Sequence, residues 1–317
     1  MKSKYQNPNI PDKNRDPDFI GTKLQKSKII SNKKIKDNYF EIIVEAPEIA
    51  RYAQPGQFVN IKVNHGFEPL LRRPFSIHRT GHQGFTRGSP GHQSEAKGNV
   101  VILYEVVGRG SEILSQKKAG EYLDMIGPLG NGFRIPYPVS RNPILIAGGM
   151  GTAPLVFLAE KIVTTSPRHH VTNKPLVLLG AKTKDDILCE KEFKKLGCEV
   201  KIATDDDSRG FPGNVTELLR KELSRPAGRQ VSRIYGCGPA PMLKEISLIS
   251  RKYHIPAQIS LEAHMACGIG ACMGCVIKVK SEKRKMPDAS RISLAGDFEY
   301  RRVCYEGPVF NAQEILW

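Results

Sequence analysis

The sequence predicts a multidomain protein with a β-rich unit, a doubly wound α/β unit and a small cysteine-rich module. Three observations support this prediction. Short apolar segments separated by Gly and Pro turns fill residues 22–138, strands alternate with helices over 139–252, and cysteines concentrate in 253–317. A chain of 317 residues that is 40% hydrophobic and 25% charged has enough apolar material for more than one core.

The sequence of the first unit predicts a barrel or a sandwich of short strands. Residues 39–44, 57–63 and 99–107 are rich in the β-branched and aromatic residues that strands favour. The polar residues 1–21 before them predict a flexible arm. The stretch 79–98, rich in Gly, Ser, Gln and His, predicts a long hairpin loop, with metal binding by its histidines as the alternative.

The second unit alternates apolar strands with helical segments, which is typical of a parallel, doubly wound sheet. The strands predicted for it are 143–147, 174–180, 199–204 and 231–235. The helices predicted between them are 152–163, 185–196 and 214–223. The segment after residue 252 lacks long periodic elements, so it predicts a small module that depends on its cysteines.

Charge and hydropathy narrow the classes of partner. The formal net charge is +16, and six lysines lie between residues 23 and 36. These lysines predict either the solvated face of a basic protein or a docking surface for an acidic partner. Aromatic residues do not interleave with the basic runs, which argues against nucleic acid. No apolar run reaches the roughly 20 residues of a membrane span, and no secretory signal begins the chain, so a cytoplasmic protein without a membrane partner is expected.

The cysteine pattern is the most specific signal. Cys267, Cys272 and Cys275 form a C-x4-C-x2-C motif, and Cys304 follows near the end of the chain. This spacing is that of the plant-type ligands of a 2Fe–2S cluster, which four thiolates hold. Gly268, Gly270 and Gly274 would let backbone N–H groups approach the cluster. A zinc site is the alternative, although its ligand pairs are usually separated by two to four residues.

Four further motifs indicate phosphate and nucleotide binding. Arg73 lies in the segment Arg-Arg-Pro-Phe-Ser-Ile, and the turn at 108–111 leads into a predicted helix. Residues 148–154 form a glycine-rich strand-to-helix turn, and 236–239 end the fourth strand of the α/β unit. Structural glycines at tight turns are the alternative for both. The acidic run 205–207 is either a ribose-binding element or a solvated loop.

These motifs, in this order, resemble the ferredoxin-reductase superfamily and, within it, the electron-transfer subunits of NAD-dependent, class B dihydroorotate dehydrogenases. The resemblance extends from about residue 22 to the end of the chain. The most similar segments are 71–77, 127–133, 237–244, 265–272 and 303–310.

The resemblance implies a fold and a set of cofactors. It implies an FAD-binding antiparallel β-barrel over 22–138, an NAD-binding parallel-sheet domain over 139–252 and a 2Fe–2S module over 253–317. The implied FAD contacts are Arg73, Pro74, Phe75, Ser76, Leu103, Tyr104, Glu105, Gly110 and Ser111. The implied NAD(H) contacts are Gly148, Gly149, Gly151, Thr152, Cys237, Gly238 and Pro239. The implied cluster ligands are Cys267, Cys272, Cys275 and Cys304.

The resemblance also implies a function. Electrons would pass from the FMN-containing catalytic subunit of dihydroorotate dehydrogenase through the 2Fe–2S cluster and FAD to NAD+, in de novo pyrimidine (UMP) biosynthesis. A two-plus-two heterotetramer is implied, and no catalytic base for dihydroorotate is expected in this chain. The alternatives are an NAD(P)H-dependent reductase subunit that serves a hydrogenase, an oxygenase or another acceptor, and a basic nucleic-acid-binding module with structural zinc.

The sequence departs from the family pattern in a few places. Glu105 follows Tyr104 where the family commonly has arginine, and Ser111 follows Gly110 where it has threonine. The missing arginine removes one expected contact to phosphate or adenine, which Arg109 is a candidate to replace. His264 occupies a position that is often arginine. The arm before residue 22, the loop at 79–98 and the segment 280–296 are longer than usual.

Overall fold

The computed structural model describes residues 21–64, 66, 68–81, 98–136, 142–165, 174–224, 231–281 and 298–317. The predicted arm, most of the loop at 79–98 and most of the segment 280–296 lie outside these residues.

A seven-stranded antiparallel sheet forms the first unit, with strand order β4-β3-β7-β1-β2-β6-β5. Its strands are β1 (Lys23–Lys36), β2 (Tyr39–Glu45), β3 (Phe58–Lys62), β4 (Arg73–Ser76), β5 (Arg79–Thr80), β6 (Asn99–Glu105) and β7 (Tyr122–Leu129).

Apolar side chains on the inner face of this sheet make its core. Ile42 and Val44 on β2 face inward, and Ile102 on β6 packs with them; all three are fully buried. The sheet curls so that Phe75 on β4 meets Tyr104 on β6 edge to face, with ring centroids 5.6 Å apart. Two short helices, α1 (Pro47–Tyr52) and α2 (Arg109–Ser115), connect its strands. The predicted antiparallel β unit is therefore confirmed.

The second sheet has the order β11-β10-β9-β8-β12-β13-β16 and is parallel except at β16. Its strands are β8 (Ile144–Gly148), β9 (Leu176–Ala181), β10 (Glu199–Thr204), β11 (Phe211–Pro212), β12 (Ile234–Cys237), β13 (Ala257–Ser260) and β16 (Val309–Asn311). The helices of this unit are α3 (Thr152–Thr165), α4 (Glu190–Lys195), α5 (Val215–Leu223) and α6 (Ala240–Lys252).

Apolar layers cover both faces of the parallel sheet. Ile144 and Ile146 on β8 join one core, whereas Leu145 and Ala147 join the other. Alternate residues of a strand point to opposite faces, so a continuous apolar run is what a doubly covered strand needs. The run at 143–147 therefore identifies the central strand, and the predicted doubly wound sheet is confirmed.

The helix predicted over 185–196 is wrong in its first half. The structure has a 3-10 turn at Lys184–Asp186, and α4 begins only at Glu190. The Asp186 carboxylate accepts hydrogen bonds from the backbone N–H and the hydroxyl of Thr183, which closes a tight turn. Cys189 then adopts a left-handed backbone with φ of 59°, so these residues cannot continue one helix.

The C-terminal segment contributes to two sheets. Strands β13 and β16 extend the parallel sheet, while β14 (Val276–Lys280) and β15 (Phe298–Arg302) form a separate antiparallel pair. The cysteines lie in the loops between these strands and at the end of the pair. Among the described residues, no helix is long and apolar enough to span a bilayer.

Candidate electron-transfer site

The four predicted cluster cysteines come together in two pairs. The Cys267 thiol contacts that of Cys272, and the Cys304 backbone N–H lies 3.4 Å from the sulfur of Cys275. The thiols of Cys275 and Cys304 also contact each other. Sulfur ligands of a single tetrahedral zinc would surround one point at about 2.3 Å. Among the described residues, the only three donors that lie mutually within 4.8 Å are elsewhere, so two pairs suit a two-iron cluster better than one zinc.

Backbone N–H groups of the loop converge on these sulfurs. The Gly270 N–H lies 3.2 Å from the sulfur of Cys304. At Cys267, partial desolvation opposes ionisation, but hydrogen bonds from the Ile269 N–H, the Cys272 thiol and two further backbone groups outweigh it and lower the pKa to about 6. A thiolate is the form that binds iron. The donor set therefore fits an iron–sulfur cluster.

The barrel holds the cluster loop directly. The side-chain amide of Asn60, on β3, donates a 3.0 Å hydrogen bond to the carbonyl of Cys267. A Cβ at Gly268 would lie 2.3 Å from the same amide nitrogen, so only glycine fits against Asn60 there. Asn60 pairs with Pro74 on β4. Asn60 thus connects the cluster loop to β3, and β3 pairs with the strand that carries Arg73.

A second contact ties the C-terminal loop to the barrel. The Asn131 side chain donates hydrogen bonds to the carbonyls of Tyr305 and Glu306, 3.1 and 3.0 Å away. Arg302 ion-pairs with Glu306, donates to the carbonyl of Gly270 and stacks over the ring of Tyr305. The segments 127–133 and 303–310, both noted in the sequence, therefore meet in space.

A cavity of about 270 Å³ lies between β4 and the start of α2. Its lining residues are Arg73, Pro74, Phe75, Glu105, Val107, Gly108, Arg109, Gly110 and Ser111. Ser76, Leu103 and Tyr104 were also predicted as contacts but lie outside this lining; Leu103 and Tyr104 are buried in the sheet. The sequence predicts Gly108 as part of the phosphate-binding turn 108–111 but Val107 as the end of a strand. In the structure β6 ends at Glu105, and Val107 is exposed and lines the cavity.

The cavity suits a phosphate-bearing ligand. Arg73 donates to the backbone carbonyls of Leu71 and Arg72 and has no carboxylate partner among the described residues, so its guanidinium retains donors for an anion. A Cβ at Gly110 would lie 2.6 Å from Nε of Arg73, which explains the glycine. The Ser111 hydroxyl accepts from the N–H groups of Val107 and Gly108 and fixes this turn.

The two predicted nucleotide-binding turns lie side by side. Strands β8 and β12 are parallel neighbours, so the turns that follow them meet at the same sheet edge. A Cβ at Gly151 would lie 2.1 Å from the carbonyl oxygen of Cys237, so no larger residue fits. The Thr152 hydroxyl donates to the Gly149 carbonyl at 2.9 Å and closes the turn. Open α/β sheets bind nucleotides at this edge.

Buried groups surround the end of β12. Burial raises the pKa of the Cys237 thiol, the charge of Glu262 raises it further, and a hydrogen bond with Ser260 opposes both. Desolvation raises the pKa of Glu262, and Glu105 on the barrel adds to the shift. Glu105, which lines the cavity, is therefore within electrostatic range of Glu262, which in turn acts on Cys237 at the end of β12.

Comparison with known proteins agrees with this geometry. A model of the iron–sulfur cluster binding domain of dihydroorotate dehydrogenase B matches residues 262–316, and an oxidoreductase NAD-binding domain matches 145–247. A curated dihydroorotate dehydrogenase B (NAD+) electron transfer subunit from Desulforamulus reducens is 38% identical over 296 residues, 93% of this chain and 99% of the relative. The chain belongs to this family of electron-transfer subunits.

Other relatives agree with the family assignment. The electron transfer subunit from Caldanaerobacter subterraneus subsp. tengcongensis is 36% identical over 92% of this chain and 98% of its own. A solved NADH-dependent reduced ferredoxin-NADP oxidoreductase matches with a TM-score of 0.70 and 27% identity, covering 92% and 90% of the two chains. A Neisseria gonorrhoeae ferredoxin NADP+ reductase, at 15% identity and a TM-score of 0.55, covers 73% and 91% and shares the fold.

These matches confirm the fold class and the functional class predicted from the sequence. The chain is an oxidoreductase subunit of the dihydroorotate dehydrogenase B family, with an iron–sulfur binding domain and an NAD-binding domain. Family membership as an electron-transfer subunit also implies a separate catalytic subunit.

Proposed function

We propose that this chain takes electrons from an FMN-containing dihydroorotate dehydrogenase catalytic subunit at a 2Fe–2S cluster and delivers them through FAD to NAD+. The step would serve de novo pyrimidine biosynthesis, in a complex of two electron-transfer and two catalytic subunits. One observation carries the proposal: the strand pair β3–β4 touches the cluster loop through Asn60 and lines the phosphate cavity through Arg73. The two redox sites therefore share one rigid element.

The residues of each site have distinct tasks. Cys267, Cys272, Cys275 and Cys304 would hold the cluster, while Arg73 and the turn before α2 would bind the FAD pyrophosphate. The glycine turns at 148–151 and 236–239 would seat the nicotinamide nucleotide. A flavin exchanges electrons singly or in pairs, so FAD would join a one-electron cluster to a two-electron nicotinamide. These tasks support the division into units 22–138, 139–252 and 253–317.

The residues of this chain would position the cofactors and tune their redox properties. They would not perform acid–base chemistry. Asn60 and Asn131 fix the cluster loops against the barrel. Gly270 and its neighbours donate N–H groups to the sulfurs, which stabilises negative charge on a reduced cluster. Ser76 ends β4 beside Phe75, where a hydroxyl would be available to the flavin. Burial of Cys237 and Ser260 keeps water from the end of β12.

The function is tested by purifying the tagged chain without oxygen from its native host. The proposal predicts FAD, two iron and two sulfide per chain, and a co-purifying subunit that supports dihydroorotate-dependent reduction of NAD+. The similarity to an NADH-dependent ferredoxin-NADP oxidoreductase supports one alternative, a reductase subunit that serves another acceptor. A flavoprotein that NADH reduces, but that passes electrons only to another acceptor, would establish that alternative.

Replacing Glu105 by glutamine is expected to tighten FAD binding. The Glu105 carboxylate lines the same cavity as Arg73 and repels an anionic pyrophosphate. Removing one charge at several ångströms, near the surface, should lower the FAD dissociation constant about two- to five-fold. Flavin fluorescence titration of the deflavinated chain measures this constant. Glu45→Gln, at the opposite end of the β2–β6 strand pair, is the matched control; equal affinities in both variants would show that Glu105 does not face the phosphate.

A further inference from the structure

His78 is a buried histidine at the contact between the two large units. It lies two residues after Ser76, between β4 and β5, and only 1% of it is exposed. Its backbone N–H donates to the carbonyl of Val101 on β6, which fixes it to the barrel. Neither the cluster loop nor the phosphate cavity includes this side chain. Its burial therefore needs another explanation.

Both ring nitrogens of His78 face acceptors on the α/β unit. Nδ1 lies 2.8 Å from the carbonyl oxygen of Ala153, and Nε2 lies 3.2 Å from Oε2 of Glu192. A carbonyl and a carboxylate only accept, so the ring is the donor in these contacts. Arg79 donates to the same carboxylate at 2.5 Å. His78, Arg79 and Glu192 form an ion triad across the unit boundary.

The triad reaches the first turn of the nucleotide-binding helix. Ala153 follows Gly151 and Thr152 of the glycine turn, at the start of α3. One turn further along, Phe157 is buried among side chains of the barrel core. The helix is therefore held to the barrel by an apolar contact at Phe157 and by a polar contact at Ala153.

We propose that His78 is a positioning residue for hydride exchange, which rests on the proposed function. It fixes the glycine turn of α3 relative to the end of β4, so it sets the separation between the nicotinamide and flavin sites. Reacting atoms must approach to about 3–3.5 Å, and a misplacement of 1 Å can cost about 100-fold in rate. His78 acts through Ala153 and through its position two residues after Ser76, not on the reacting atoms.

A bound metal is the competing explanation for this cluster. Donor atoms of His78, Cys189 and Glu192 lie within 4.8 Å of one another. However, the Glu192 carboxylate already has two partners, the His78 ring and the Arg79 guanidinium. They outweigh the opposing effect of burial and lower its pKa. Burial raises the pKa of the Cys189 thiol, which keeps it protonated, and its contact with Thr152 only partly offsets this. A divalent cation held by these donors would have to displace the Arg79 guanidinium from the Glu192 carboxylate, so the ion triad is favoured.

Three substitutions separate the two ring contacts. His78→Asn places an amide N–H near the position of Nδ1 and keeps the Ala153 bond, while His78→Gln reaches toward Glu192. His78→Ala removes both. We expect the rate of flavin reduction by NADH in the full-length holoprotein to fall about 10- to 100-fold in the Ala and Gln variants. The rate of flavin reduction in the Asn variant should stay within about three-fold of the wild-type rate. The NADH dissociation constant of all three variants should stay within about two-fold of the wild-type value.

The measurements are stopped-flow flavin reduction, NADH titration and amide hydrogen exchange across 152–158 without NADH. Exchange in this segment should rise in the Ala and Gln variants but not in the Asn variant. His254→Asn, at the exposed residue 254 beyond α6, is the matched control. Unchanged rates in His78→Ala, or an equal loss in Asn, would overturn the proposal.

Two further outcomes are distinguishable. If the protein holds stoichiometric metal besides the cluster iron, and Cys189→Ser removes that metal, the site binds a metal and the proposal is overturned. A wild-type holoprotein whose flavin NADH does not reduce would refute the proposed function itself, whereas the hydrogen-exchange comparison would still decide whether His78 holds the first turn of α3.

Discussion

Replacing Cys275 by serine is expected to abolish electron transfer between dihydroorotate and NAD+. Cys275 is buried beside Cys304, and serine offers a poorer ligand in the same place. Loss of one of four thiolates should remove or severely degrade the cluster and lower coupled NAD+ reduction by more than about 100-fold. NADH-dependent reduction of an artificial dye should stay within about three-fold of wild type, because the flavin and nicotinamide sites are separate from the cluster.

The cluster is measured by electron paramagnetic resonance of the reduced protein and by iron and sulfide content. Cys198→Ser is the matched control, because Cys198 is also buried but packs in a different core from Cys275 and Cys304. A Cys275→Ser complex that retains wild-type coupled activity without a cluster signal would refute the route through iron. Loss of dye reduction as well would indicate a folding defect, which the control and circular dichroism identify.

Replacing Arg73 by alanine is expected to weaken FAD binding by roughly 10- to 150-fold. A hydrogen bond to a charged group contributes about 1.5–3 kcal/mol, which corresponds to that range of affinity. Arg73 lines the cavity, and its other bonds go to backbone carbonyls only. The measurement is the FAD dissociation constant of the deflavinated full-length chain, together with the flavin content of the purified protein.

The neighbouring arginine provides the control for this prediction. Arg72 donates to the carbonyl and the carboxylate of Asp124 on β7 and is absent from the cavity lining. Arg72→Ala should reduce the thermal stability of the barrel but leave the FAD dissociation constant within about three-fold of wild type. Equal weakening of FAD binding in both variants would show that Arg73 stabilises the strand and does not bind FAD.

Local patterns in the sequence predicted much of the fold. The unbroken apolar run at 143–147 indicates a strand with two covered faces, and β8 has them. The cysteine spacing predicted four ligands, which the structure gathers in two pairs. The apolar run and the motif of the first three cysteines each lie within about ten residues of chain, so no knowledge of tertiary contacts is needed to find them.

Contacts between distant residues could not be predicted in this way. Asn60 is an isolated polar residue inside an apolar strand, and its partner Cys267 lies 207 positions away. His78 immediately follows a recognised motif, but Ala153 and Glu192 become its neighbours only after both units fold. The start of α4 was missed because side-chain bonds within 183–186 close a turn that helix periodicity does not reveal.

The central claim is that electrons pass from dihydroorotate through this chain to NAD+. The most direct measurement mixes the purified, oxygen-free complex of this chain and its catalytic partner with dihydroorotate and NAD+ and follows cluster reduction and NADH formation together. The account predicts that the cluster signal appears before NADH and that one NADH forms per dihydroorotate oxidised. NADH formation at the wild-type rate in a complex that carries Cys275→Ser, or cluster reduction without any NADH, would contradict it.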